Sequence, residues 1–166
     1  DIGLITLDAH HDLRDGISNG SPIKQLLDAG FPGQNIVQIG INDFANSKFY
    51  ADRAADAGIK VIHRDELESN PMSVIADLAF ANLLHCREIY LDIDIDVCDR
   101  SVVPAAPAAM PGGISAYQLR KLVRAIAADK RVTTFDITEI DASIDAPDKR
   151  TTRLAALCIL EIAAAS

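Results

Sequence analysis

Tryptophan is absent from this 166-residue chain, which carries only three Tyr and five Phe. Its interior must therefore be built from aliphatic side chains rather than stacked rings. The three cysteines, Cys86, Cys98 and Cys158, are odd in number and lack metal-ligand spacing. That excludes a disulfide framework and points to reduced thiols in a cytoplasmic protein. No apolar run reaches the roughly 20 residues that cross a bilayer. Positive charge is also scarce: 16 Lys and Arg stand against 24 Asp and Glu, a net charge of −8. The balance argues against nucleic-acid or membrane-surface partners. There is no internal repeat and no low-complexity tract. With 49% hydrophobic residues, the chain has ample material for one core, and residues 1–166 are read as a single domain.

Apolar, β-branched runs alternate with helical patterns along the whole chain. Strands are expected at 2–7, 35–40, 59–63, 88–96 and 131–138. Helices are expected at 23–29, at 46–57 capped by Asn46, and from the Asn70-Pro71 cap to about residue 85. Two more are expected, from the Ser115-x-x-Gln118 capping box to about residue 128 and over 150–165. This alternation defines an α/β class with a mainly parallel sheet. The longest irregular stretch, around 97–114, is a candidate functional loop.

The run Ile2–Leu7 leads directly into Asp8-Ala-His-His-Asp12. Two carboxylates and an imidazole within five residues suit a borderline divalent ion, although a polar loop after a strand has the same composition. Glu88-Ile-Tyr-Leu-Asp-Ile-Asp-Ile-Asp96 alternates apolar and acidic residues, so a strand there places Asp92, Asp94 and Asp96 on one face. Carboxylates so spaced repel, and buried ones protonate unless a cation sits among them. An edge strand with a wet acidic face would also fit. A bound metal accounts for both clusters at once, and both lie at the carboxyl ends of strands, where ligands bind in open parallel sheets.

Asp8-Ala-His-x-Asp12 and the later Asp94-x-Asp96-x-x-Asp99 resemble the ureohydrolase family, which includes arginase, agmatinase, guanidino-acid hydrolases and formimidoylglutamase. Val103-Pro-Ala-Ala-Pro-Ala-Ala-Met-Pro-Gly-Gly113 is similar to the loop after the family's second motif. Phe135-Asp-Ile-Thr-Glu139 is similar to its late strand ending in a substrate-contacting glutamate. The motifs run in family order over nearly the whole chain. The resemblance implies a three-layer α/β/α fold, a homo-oligomer and two Mn²⁺ ions per subunit. It assigns Asp8 and Asp94 as bridging ligands, Asp12 to one ion, and His10 and Asp96 to the other, with Asp12 and Asp94 central to catalysis. Two divalent ions activate a shared water, and in this family that water attacks the planar carbon of a linear amidine. A sixth ligand, a histidine from an upstream glycine-rich loop, has no counterpart in the sequence. The chain, which begins without Met, is therefore read as a C-terminal fragment lacking its N-terminal part.

Within the family, the turn after the first motif usually reads His-Gly, whereas here it is Asn19-Gly20. Arg14, that turn and Gln38–Asn46 are more similar to formimidoylglutamase. This branch cleaves N-formimidoyl-L-glutamate to glutamate and formamide. Arg14 would then pair with a substrate carboxylate, Asn19 and Ser21 would hydrogen-bond to it, and Glu139 would hold a cationic nitrogen. An ion pair of Arg14 with Asp15 is the alternative. A guanidino hydrolase releasing urea and a non-catalytic homologue are the competing functional readings. Asp99 is expected to orient its loop. Asp92 receives no role, and His11 is expected to point away from the ligands at the surface or behind them. His63 and His85 are expected to be structural, Cys98 a small buried residue, and Asp141 and Asp145 solvated.

Overall fold

Five strands form one all-parallel sheet: β1 (Ile2–Leu7), β2 (Ile36–Ile41), β3 (Lys60–His63), β4 (Glu88–Asp94) and β5 (Val132–Thr138), in the order β3-β2-β1-β4-β5. The computed structural model describes residues 1–165. Among the described residues, six helices connect and cover the strands: α1 (Pro22–Asp28), α2 (Lys48–Asp56), α3 (Arg64–Ser69), α4 (Met72–Asn82), α5 (Ala116–Ala127) and α6 (Arg150–Ala165). None of these is long and apolar enough to cross a membrane.

The two faces of the sheet bury different side chains, because neighbours along a strand point opposite ways. On one face Ile5, Leu7, Ile39, Leu91 and Ile93 meet α3–α6 through residues such as Leu67, Ile75, Leu122 and Leu154. On the other, Leu4 and Ile36 pack against Ile23 of α1 and Ala54 of α2. The result is a three-layer α/β/α arrangement, and aliphatic residues do nearly all the filling, as the scarcity of aromatics requires. Inner strands buried on both faces explain the near-continuous Ile/Leu/Val runs.

The strand order determines where a site can form. From β1 the chain steps outward to β2 and then β3, returns to the other side of β1 as β4, and continues to β5. The carboxyl ends of β1 and β4 thus diverge at the point where the winding reverses, which opens a crevice between them.

Several boundaries differ from the sequence reading for local reasons. β4 ends at Asp94, and Ile95–Val97 forms a 3₁₀ turn in which the Asp94 carboxylate accepts from the Asp96 N–H. Asp96 therefore sits on a turn and not on the strand face, and β4 is an interior strand, not an edge. Helix α2 is capped at Ser47 instead of Asn46, whose side chain is engaged elsewhere. Pro71 is the N-cap of α4, while the Asn70 amide donates to the Glu66 carbonyl and closes α3. That short helix was not anticipated. The Ser115/Gln118 capping box opens α5 as the spacing predicts.

Gly40, at a register irregularity of β2, has φ +100°. A Cβ there would lie 2.4 Å from Cγ2 of Val97 and 3.4 Å from the Asp8 carbonyl oxygen. The glycine thus lets the 3₁₀ turn after β4 close over β2. Gly40→Ala combines a left-handed φ with a steric clash and should cost about 1–3 kcal/mol of stability. Chemical denaturation would measure it, and an unchanged midpoint would refute this account of the junction.

Candidate metal centre

The loop following β1 and the turn following β4 meet in the crevice between those strands. Asp8 and Asp96 are almost fully buried, and His10 bridges them: its Nδ1 lies 3.0 Å from Asp96 Oδ2 and 3.5 Å from Asp8 Oδ1. One ligand atom from each of these three residues falls within 4.8 Å of the other two. Asp94 is also buried and Asp12 is half-buried. Both line the adjoining cavity with His10 and Asp96, although they lie outside the close triad. A hard-to-borderline donor set of carboxylates and one imidazole, brought together in a buried crevice, fits Mn²⁺ or a similar divalent ion.

The electrostatics of the cluster call for a cation. Burial holds the Asp8 carboxyl well above its usual range, with repulsion from Asp96 and Asp12 adding to the effect against the hydrogen bond from His10. Burial likewise pushes Asp94 up to about 11, reinforced by Asp8 and Asp96, and lifts Asp12 to about 6 although His10 pulls it down. Hydrogen bonds to Asp8 and Asp96 raise His10 to about 10 in spite of burial. An imidazolium thus supplies part of the missing positive charge. A divalent ion would displace that proton and ionise the carboxylates together.

Backbone N–H groups around the cluster are engaged by its carboxylates. The Ala9 N–H donates to Asp96 Oδ1 (3.3 Å) and the His10 N–H to Asp8 Oδ1 (2.6 Å). Asp12 and Glu139, which both line the cavity, take left-handed backbone conformations, with φ of 53° and 58°. Non-glycine residues in that region are uncommon and concentrate at functional sites.

The predicted substrate-facing residues separate into two groups. Arg14, Asn19 and Glu139 line the same cavity as His10 and Asp12. Asp15 pairs with Arg53 at 2.9 Å rather than with Arg14. The Arg14 stem lies across Gly20, where a Cβ would come within 2.8 Å of its Cδ. Ser21 is a correction. It is fully buried, accepts from the Ser18 N–H and the Gln25 amide, and donates to the Ser18 carbonyl. Its hydroxyl is spent closing the turn that presents Asn19.

Other residues resolve into structural tasks. His11 points away from the ligands, but it is buried against Gln38 rather than at the surface. His63 lies beside Asp43, and His85 beside Asn35. Asp99 accepts from Ser101 and the Gly112 N–H, fixing the proline- and glycine-rich loop. Asp92 accepts from Thr6 of β1 (2.8 Å) and Thr138 of β5 (3.4 Å), joining three strands beneath the site. That position carried no sequence signal beyond its acidity. Asp145 accepts from the N–H groups of Thr151 and Thr152 at the start of α6.

The raised groups fix the sign of a pH effect. Asp94 and His10 bind protons more tightly folded than unfolded, so their contribution favours the fold at low pH. It is lost as pH rises from the unfolded values toward about 11 and about 10. His11, lowered by burial, opposes this only below its ordinary value of 6.5. Protein stripped by chelation should therefore melt at a lower temperature at pH 9 than at pH 7, and Mn²⁺ should remove or reverse that difference. Melting curves with and without Mn²⁺ at the two pH values test this; a metal-insensitive, flat profile would contradict the charge cluster described above.

Comparison with known proteins is consistent with this geometry. The chain is 38% identical over 165 residues to a formimidoylglutamase of Halalkalibacterium halodurans, covering 96% of this chain and 51% of that protein. It is 33% identical over 163 residues to the Bacillus subtilis formimidoylglutamase, covering 95% of this chain and 51% of that protein. The crystal structure of a B. subtilis formimidoylglutamase superposes with a TM-score of 0.93 at 31% identity, over 99% of this chain and 52% of that one. The chain thus spans about half the length of these relatives. The family model described as the arginase family matches residues 1–165, and the chain belongs to the arginase family.

Proposed function

We propose that the protein containing this chain is a dimetal hydrolase of linear amidines, acting on N-formimidoyl-L-glutamate to release glutamate and formamide. The observation that carries the reading is the convergence of Asp8, His10 and Asp96 within 4.8 Å at the sheet's crevice, with Asp12 and Asp94 on the same cavity. Names of the relatives cited above support the substrate class. When bound, a pair of ions such as Mn²⁺ would supply Lewis-acid polarisation and lower the pKa of water. Asp8, His10, Asp12, Asp94 and Asp96 would hold them.

The remaining residues bind and orient. Arg14, unpaired with any carboxylate among the described residues, presents its guanidinium to a substrate carboxylate, a geometry suited to two parallel hydrogen bonds. Asn19 adds a hydrogen bond from the same turn. Glu139, which lines the same cavity as Arg14, holds the cationic formimidoyl or amino nitrogen. In the net reaction the C–N bond to glutamate breaks, water's oxygen ends on formamide, and the departing nitrogen gains a proton. Three buried, free thiols support a reducing compartment, the cytoplasm. The family resemblance supports assembly as a homo-oligomer.

Two variants test this in the protein expressed at full natural length. Partners of ligands typically cost 10–100-fold when removed, so Asp94→Asn, which alters a ligand itself, should lower turnover by more than about 100-fold. Its fold should persist, since the amide oxygen still accepts from the Asp96 N–H. Arg14→Ala should raise KM about 10–100-fold, the loss of one charge-assisted pair, while kcat changes little. Formamide and urea are assayed separately. Urea from a guanidino substrate would replace the proposed specificity, and an active Asp94→Asn enzyme would sink the mechanism.

A further inference from the structure

The loop bearing His10 is held by two carboxamides that an incoming ion would not displace. The β1–β2 ladder runs to Leu7 and Ile39 and continues as the Asp8 N–H donates to the Ile39 carbonyl and the Asn42 N–H to the Ala9 carbonyl, each at 3.0 Å. There the chain after β2 turns away. Asn46 then returns its side chain to the loop: Nδ2 donates to the Ala9 carbonyl (2.9 Å) and Oδ1 accepts the His11 N–H (3.0 Å). Nδ2 also donates to the Asn42 carbonyl at 3.0 Å, which anchors it to its own segment. Behind the loop, the fully buried Gln38 donates to the His11 carbonyl (2.9 Å) and accepts from His11 Nδ1 (2.7 Å).

A carboxamide offers the same donor and acceptor as a peptide unit. Bonding the carbonyl of one residue and the N–H two positions on is what a neighbouring parallel strand does. Asn46 therefore acts as one side-chain rung of β2, set opposite His10 after the β2 backbone has left. Backbone bonds hold the two ends of the loop, the last being the Lys24 N–H on the Asp12 carbonyl (3.1 Å); at its centre the Ala9 and His10 N–H groups lie on Asp96 and Asp8, whose oxygens an ion would claim. The Asn46 and Gln38 bonds involve no oxygen from the ligand side chains.

We propose that Asn46 is a positioning residue for the His10 ligand, with Gln38 as its support. It keeps the 8–12 loop in ligand geometry before and after an ion enters. This rests on the dimetal reading above. Asn46→Ala removes the rung, and Asn46→Leu removes its hydrogen bonds while keeping its branched heavy-atom skeleton. In both, amide hydrogen exchange over residues 8–13 of the chelated full-length protein should accelerate about tenfold, with residues 116–127 unchanged, and Mn²⁺ should bind about tenfold more weakly, the usual scale for a partner of a ligand. Saturating Mn²⁺ should restore kcat. Asn82→Ala, which removes a carboxamide bond to the Gln34 carbonyl far from the site, should change none of these. Exchange and Mn²⁺ affinity within about twofold of the parent would overturn the proposal while leaving the dimetal reading intact. A parent that binds no Mn²⁺ would overturn both.

Discussion

Repulsion among buried carboxylates is the constraint to which the rest of this structure answers. Asp8, Asp94 and Asp96 are each at most 5% exposed, in a medium where like charges interact several times more strongly than in water. Such a group is tolerated only protonated or with compensating charge. His10 provides some of it on the protein's own account, and a divalent ion would provide the remainder. The topology makes the juxtaposition possible, because only at the reversal between β1 and β4 do two strand ends open a crevice instead of packing closed. Gly40 belongs to the same arrangement, since it lets the turn carrying Asp96 settle against β2.

Around this charged centre the polar residues form a supporting frame with few loose ends. Asp92 joins Thr6 and Thr138 beneath it. The Arg53 guanidinium donates to the Leu13 carbonyl at 2.6 Å, fixing the chain just past Asp12. Ser21 closes the turn that carries Asn19. These groups hold the loops after β1 and β2 to the sheet, so that the candidate ligand residues stand on backbone that is already hydrogen-bonded. Precision of this kind costs stability locally, as the left-handed conformations of Asp12 and Glu139 show, and the aliphatic core behind the sheet supplies it.

Much of this was legible in the sequence, for identifiable reasons. Strands buried on both faces announce themselves as unbroken Ile/Leu/Val runs, the Ser115/Gln118 capping box located α5, and an apolar, alanine-rich run located α6. The ligand candidates were readable because acidic residues are seldom placed at the end of a buried strand without cause. What the sequence concealed depended on three-dimensional partners. The alternation through Asp96 continues smoothly past Asp94, so only the Asp94 carboxylate meeting the Asp96 N–H reveals the turn. Helix α3 is six residues long with one buried side chain, Leu67, too little for periodicity to register. Ser21 and Asn46 were misassigned for a common reason: a short polar side chain near a site or helix start can serve a ligand, a cap or a distant backbone group, and composition does not distinguish these.

The candidate ligands come from two places far apart in the chain, residues 8–12 and 94–96, and the Ala9–Asp96 hydrogen bond already spans 87 positions. An ion gripped from both sides would act as a cross-link closing a long loop. Closing a loop of that size removes chain entropy from the unfolded state, the same effect that cystine bridges have in secreted domains. The three cysteines of this chain are all free. Covalent stapling would thus be replaced by one that is reversible and graded by metal supply, and the resistance of the fold to unfolding would become a property of its surroundings as well as of its sequence.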